Sequence, residues 1–297
     1  MRHAILGAGG VGGMIGACLA RAGDAVTMVV RAETLAAHPP KLQLESAFGN
    51  WSVEVGWRSS VPPADVLWLT VKATQLDEAL RSITDVSTIA AIVPLLNGVE
   101  HVEWLRSKYG RDRVIPATIA GEFERASPGH IIHRTPFARL NVSSRGRGLL
   151  QSALDQLQGM GFTCNFMDDE ATLLWSKLVF LAPLALATTA FDRTIDELVA
   201  GPETWPQLQA GVREACAAGQ AEGARVKADP VLEMIKGLPR GMRSSMQKDL
   251  AHGRPPELDA IGGPIVRAAK RHGLKAPVTE ALMARIERAG KASGRTS

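Results

Sequence analysis

The 297-residue chain has only three cysteines. Cys18, Cys164 and Cys216 lie far apart without CxxC spacing, and a single disulfide would leave one unpaired, which argues against a disulfide framework. They suit a reducing, cytoplasmic setting. Excess charge is missing too: the formal net charge is +4, and the basic residues are scattered rather than gathered in a tract, so a nucleic-acid partner is not expected. No long apolar run stands out. The stretch from Leu178 to Phe191 falls short of the roughly 20 residues a membrane span needs. At Met1 there is no charged, then apolar, then small-residue pattern of a signal peptide. Neither a membrane partner nor an export signal is therefore expected. Repeats and low-complexity tracts are absent. His130 and His133 point to opposite faces of an extended segment and find no third ligand at suitable spacing, so no metal is expected.

What is present is ordinary in proportion and informative in order. A hydrophobic content of 45% and a charged content of 22% fit a folded chain. Its length exceeds the usual ceiling for one core, so two domains are expected. The first half alternates short apolar runs with helical patterns, as parallel strands joined by crossover helices do. His3–Leu6 reads as a strand, Val11–Ala22 as a helix and Ala25–Val30 as a second strand. Gln43–Trp57 reads as a hairpin, and Asp65–Val71 and Ile89–Leu96 as further buried strands. Pro128-Gly129 marks a turn, Arg139–Val142 a strand and Leu149–Gln158 a helix. From Asp169 the periodicity is helical, with Ala171–Ala190, Trp205–Glu222 and Pro264–His272 the clearest helices. The boundary is expected near Asp168, giving domains 1–168 and 169–297, with the tail from Lys291 fraying.

Gly7, Ala8, Gly9, Gly10, Val11 and Gly12 form a GxGxxG pattern between the first strand and the first helix. In that context Gly7 permits the tight turn, Gly9 lets backbone approach a pyrophosphate, and Gly12 lets helix and strand pack closely. At the end of the second strand, NAD-binding domains carry a carboxylate and NADP-binding domains a basic group. Arg31 stands there, with Glu33 two residues beyond, so NADPH is the expected cofactor. Lys72 and Asn97 read as closing later strands toward the same crevice, Lys72 to neutralise phosphate and Asn97 to bridge cofactor and substrate. Lys177, on a helix beside a long apolar stretch, reads from its own segment as a snorkelling surface lysine. Ser244 or Ser245 caps a later helix. The carboxylates of Glu257 and Asp259 follow, and their own segment does not separate function from solvation.

These segments, in this order, resemble the ketopantoate reductase (2-dehydropantoate 2-reductase) family. The resemblance runs almost end to end: the glycine turn, Arg31, Val71-Lys72-Ala73, Leu96-Asn97-Gly98, Pro128-Gly129 with Ile131-Ile132-His133, Trp175-Ser176-Lys177-Leu178, Ser244-Ser245-Met246 through Asp249, Gly253-Arg254-Pro255, Glu257 and Asp259. It implies an α/β fold: an amino-terminal Rossmann-type doubly wound sheet that binds NADPH, followed by an all-helical carboxy-terminal domain. It also implies reduction of a small 2-oxo acid to a 2-hydroxy acid. By resemblance, Lys177 becomes the general acid, in place of the snorkelling reading. Asn97 serves both cofactor and substrate, Glu257 belongs with the cofactor-binding groups and orients the closed site, and Ser245 binds substrate. The apolar helices of the second half would suit a homodimer.

One departure bears on substrate. The family usually carries asparagine four and eight residues after the lysine; here those positions hold Leu181 and Ala185, with Pro183 between them and a kink expected. Ile195 stands near a further asparagine position. An apolar wall would favour a less polar 2-oxo acid than ketopantoate. Two other readings compete: an NADPH-binding protein without catalysis, and an amino-acid-condensing dehydrogenase, for which His252 and His272 lack an evident partner.

Overall fold

The computed structural model of the protein describes residues 1–292; the expectation of a frayed tail falls on 293–297, outside the described residues, while 291 and 292 still belong to the last helix. The chain divides into two compact units, one of residues 1–96 and 101–173, the other of residues 97–100 with everything from Leu174 onward.

The first unit opens with β1 (Arg2–Leu6), α1 (Gly10–Arg21) and β2 (Ala25–Val29). Next come β3 (Lys41–Ser46), β4 (Trp51–Glu54), β5 (Gly56–Arg58), β6 (Ala64–Leu69), α2 (Leu76–Leu80), β7 (Ile89–Pro94) and α3 (His101–Tyr109). It closes with β8 (Ala117–Ala120), β9 (Phe123–Ser127), β10 (His130–His133), β11 (Ala138–Ser143), α4 (Arg147–Gly159) and β12 (Phe162–Met167). Five strands form a parallel sheet in the order β5-β2-β1-β6-β7. Strands buried on both faces need apolar residues at nearly every position, which is how β6, β7 and the Ala4–Leu6 part of β1 read. One core cluster gathers Ile5, Met14, Trp68 and Leu154; a second gathers Leu6, Leu67, Leu80 and Leu105. Adjacent residues of β1 and β6 thus feed different clusters, as alternation along a strand requires. Each fully buried aliphatic side chain contributes about 1.5–3 kcal/mol.

The expected hairpin is β3 and β4, paired from Lys41↔Glu54 to Leu44↔Trp51. Trp57 is not part of it: β5 leaves the pair and joins the edge of the parallel sheet beside β2. Three strands also stop earlier than their apolar runs suggest. β2 ends at Val29, β6 at Leu69 and β7 at Pro94. Arg31 and Lys72 follow in extended conformation, each immediately before a short 3-10 turn, Ala32–Ala37 and Ala73–Gln75. Hydrophobicity runs on because Val30 and Val71 stay half-buried and Leu95 and Leu96 buried, whereas ladder pairing ends where the turns begin. His130 and His133 go separate ways: His130 Nε2 lies 2.8 Å from Glu45, while His133 is buried with Nδ1 2.8 Å from Ser46 Oγ.

The second unit is helical: most of α5 (Glu170–Phe191), then α6 (Ile195–Ala200), α7 (Thr204–Ala221), α8 (Ala228–Lys236), α9 (Ser245–Ala251), α10 (Leu258–Arg271) and α11 (Pro277–Ala292). α5 keeps Pro183 inside one helical span, where the kink remains an expectation. It corrects one reading: its 22 residues are long and apolar enough, by length and composition, to cross a membrane. The apolar run starting at Leu178 understates it because the helix begins upstream at Glu170. That first residue lies in the first unit, where both oxygens of its carboxylate accept from Nη2 of the buried Arg106, at 2.8 and 2.9 Å, and one also accepts from Ser143 Oγ at 2.6 Å. Of its most apolar window, 61% is buried within the protein, with Ala182, Ala185 and Ala187 fully enclosed. These are the contacts of a core helix. His272 also differs from expectation, with Nε2 2.9 Å from Glu222.

Candidate active site

In the first unit the glycine turn joins β1 to α1. Gly7 has φ +108°, a conformation in which any side chain is strained, and an added Cβ would meet Val71 at 2.8 Å. Its N–H donates to Val29 O at 3.1 Å. The Thr70 hydroxyl donates to Gly7 O at 2.7 Å and also lies 3.1 Å from Leu6 O, so a side chain from the end of β6 pins the turn. A Cβ on Gly12 would stand 2.1 Å from Gly7 O and one on Gly10 2.0 Å from Phe123 O. Gly12 therefore serves close packing as its spacing predicts; the approach of the Phe123 backbone to Gly10 is a second constraint that sequence does not display. Gly9 is different. A Cβ there would meet nothing within 4 Å, and Gly9 begins α1 with no side chain bonded to the helix end. Open space above a helix N-terminus with uncapped amides fits an anionic pyrophosphate. Ala8 is buried and Val11 half-buried, lining the turn from the protein side.

Arg31 is exposed, with Nε 3.4 Å from Glu33 Oε1. Glu33 thus stands beside Arg31 in an exposed contact. Register reveals a second cation that motif reading missed: Arg58 is paired with Val29, and its carbonyl accepts from Val30 N at 3.0 Å. Lys72 is half-buried at the head of its 3-10 turn.

In the second unit three of the expected residues meet. Lys177 Nζ donates to Asn97 Oδ1 at 3.0 Å, and Asn97 Nδ2 donates to Glu257 Oε2 at 3.0 Å. The amide orientation follows from these neighbours, since an ammonium needs an acceptor and a carboxylate needs a donor. Lys177 is half-buried and Glu257 buried. Burial lowers the Lys177 pKa to about 8, and the negative charge of Glu257 opposes that fall. An amine held near neutrality with its proton directed by an amide is equipped to donate that proton. The close fit depends on Gly98, at φ +88°, where a Cβ would sit 2.3 Å from Ala260 O.

Along α5 from Lys177, the positions four and eight residues on are Leu181, half-buried, and Ala185, fully buried. Neither offers a hydrogen bond. Further along the same face, the buried Thr188 hydroxyl lies 2.8 Å from Ser244 Oγ. Ser244, not Ser245, is the cap of α9, accepting from Gln247 N at 3.2 Å. Ser245 is exposed in the first turn. Ser244→Ala is therefore expected to cost about 1–2 kcal/mol of stability, measured by denaturant unfolding, and Ser245→Ala none; equal costs would contradict this assignment. Ile195 is buried at the start of α6.

A sequence model described as "Ketopantoate reductase PanE/ApbA" matches residues 3–146, and one described as "Ketopantoate reductase PanE/ApbA C terminal" matches residues 170–289. The 2-dehydropantoate 2-reductase of Caulobacter vibrioides is 31% identical, covering 96% of this chain and 98% of its own. A PanE/ApbA family ketopantoate reductase from Ralstonia eutropha JMP134 superposes with a TM-score of 0.84 at 28% identity, over 97% of both chains. D-mandelate dehydrogenase with NADH and anilino(oxo)acetate shares the fold, at a TM-score of 0.85 and 20% identity over 98% of this chain and 99% of that one. With a doubly wound sheet followed by a helical unit, and with both family halves matched in order, the chain belongs to the ketopantoate reductase family of oxidoreductases.

Proposed function

We propose that this chain is an NADPH-dependent reductase that converts a 2-oxo acid to the 2-hydroxy acid, with 2-dehydropantoate, giving pantoate for pantothenate biosynthesis, as the leading substrate. The observation that carries this reading is the chain of hydrogen bonds from Lys177 through Asn97 to Glu257. The bound cofactor supplies the hydride. Residues 1–168 hold that cofactor: the turn from Gly7 to Gly12 takes the pyrophosphate, Arg31 the 2′-phosphate, and Lys72 neutralises phosphate charge. Residues 169–297 bind substrate and form a homodimer. Lys177 protonates the keto oxygen, and its charge stabilises the alkoxide as it develops. Asn97 aims the lysine and reaches both cofactor and substrate; Glu257 fixes the amide and borders the cofactor. Ser245 hydrogen-bonds the substrate. The three free thiols fit a cytoplasmic enzyme.

A second reading concerns the substrate's tail. Leu181 and Ala185 remove two amides from the wall beside Lys177, and each missing hydrogen bond is worth about 0.5–1.5 kcal/mol. That favours a 2-oxo acid with an apolar side chain over one bearing a hydroxyl. The test is NADPH oxidation across 2-oxo acids graded from polar to apolar. Turnover with at least one supports the reductase reading, and NADPH binding with no turnover on any overturns it. On the apolar reading kcat/KM rises with tail hydrophobicity, and Leu181→Asn raises kcat/KM for 2-dehydropantoate by about 2- to 10-fold. A wild-type optimum at 2-dehydropantoate with no gain in that variant removes the apolar reading alone.

A further inference from the structure

The segment Asn97–Glu100 follows β7 and precedes α3, yet groups with the helical unit. Three attachments to α10 explain why. Asn97 donates to Glu257, at the start of α10. Gly98 lies against Ala260 O. Glu100 receives a forked pair from Arg267, with Nε 3.0 Å from each oxygen and Nη2 2.7 Å from Oε2. Residues 257, 260 and 267 fall on one side of a helix of 3.6 residues per turn. One face of α10 therefore grips both ends of the segment.

The Arg267 guanidinium is itself oriented. Its Nη1 donates to Asp259 Oδ1 at 2.7 Å. It lies across Gly263, where an added Cβ would stand 2.4 Å from Nη2 and 2.6 Å from Asp259 Oδ1. Glycine inside a helix costs about 1 kcal/mol relative to alanine, and here its absent side chain makes room for this arginine. The Arg267–Glu100 pair is about 40% exposed on both sides, at 41% and 39%, and such pairs add little to stability. Planar two-point contact does fix direction, which a single-point lysine contact cannot.

We propose that Arg267 is a positioning residue for the reaction: through Glu100 it sets the segment that places the Asn97 amide oxygen on Lys177. This rests on the reading of Lys177 as the proton donor. A displacement of order 1 Å at an aligned donor costs up to about 100-fold in rate, so a loosened segment is expected to lower kcat roughly 10-fold.

The experiment compares wild type with Arg267→Ala, Arg267→Lys and Gly263→Ala, each alone and combined with Asn97→Ala. Two quantities are read: kcat and KM with the best 2-oxo acid, and the side-chain amide NMR signal of Asn97 in the protein without cofactor. Arg267→Ala and Gly263→Ala should each lower kcat about 10-fold. Both should move or broaden the Asn97 amide signal, and Arg267→Lys should recover only part. Gly263→Ala should do this without lowering the melting temperature, which separates positioning from loss of fold. In the Asn97→Ala background neither change should lower kcat further. Additive losses, or an Asn97 signal unaltered in Arg267→Ala, overturn the proposal. Since the NMR readout needs no turnover, an inactive Lys177 mechanism and a failed Arg267 role give different results: the first leaves Lys177→Ala as active as wild type, the second leaves the Asn97 signal in place.

Discussion

Replacing Lys177 with alanine is expected to lower kcat roughly 100- to 10,000-fold, the range a positioned general acid contributes, while NADPH affinity, measured by fluorescence titration, stays unchanged. The lysine is the first member of the Lys177–Asn97–Glu257 chain, and its Nζ is the group that donates into it. Removing it deletes the proton donor and the positive charge that an alkoxide would face. The pH profile provides a separate check. With its pKa lowered to about 8 by burial, Lys177 is protonated below that pH and loses its proton above it. Reduction should therefore be level on the acid side of pH 8 and fall tenfold per unit on the alkaline side. An ordinary exposed lysine would hold activity until about 10.4. A flat profile through pH 9.5, or full turnover in Lys177→Ala, would remove the lysine from the mechanism.

Arg31→Ala should weaken NADPH binding roughly 10- to 100-fold and leave NADH nearly unaffected. A hydrogen bond between charged groups is worth about 1.5–3 kcal/mol, and only NADPH carries the 2′-phosphate that would receive it. Arg31 holds Glu33 at 3.4 Å, with both side chains more than 60% exposed. A pair of that kind is worth about 1 kcal/mol at most, so a phosphate can displace the carboxylate at little cost. Glu33→Gln should accordingly leave NADPH binding unchanged or tighter. Titration of each cofactor against each variant decides the matter: equal weakening of NADH and NADPH by Arg31→Ala would mean that Arg31 supports the turn in general and does not select the phosphate.

Much of this was legible from local pattern. A strand, a GxGxxG turn and a helix are set by residues within a dozen positions of each other, and Gly7 and Gly12 do what their spacing requires. The helical period after Asp169 likewise appears as α5, α7 and α10. Local pattern failed where distant backbone decides. The ends of β2, β6 and β7 depend on where turns interrupt ladder pairing, and hydrophobicity continues past them. Trp57 lies in a segment that reads as one hairpin, and only the sheet edge at β2 draws it away. The constraint on Gly10 comes from Phe123.

Lys177 shows the division most plainly. Its own segment describes a lysine beside an apolar stretch, and a lysine prefers to reach solvent; the family's motif assigns it a proton, yet neither sets its pKa. That follows from burial and from a carboxylate eighty residues away, relayed by an amide at position 97. The sequence by itself determined the glycine turn, the cation after the second strand, the apolar character of Leu181 and Ala185, and the helical second half, because each is written in residue type and short-range period. Tertiary structure alone decided that Lys177, Asn97 and Glu257 meet in one chain of hydrogen bonds, that burial lowers the lysine's pKa, and that α10 grips residues 97 and 100. Those depend on hydrogen bonds and desolvation, which exist only once distant parts of the chain have been brought within about 3 Å.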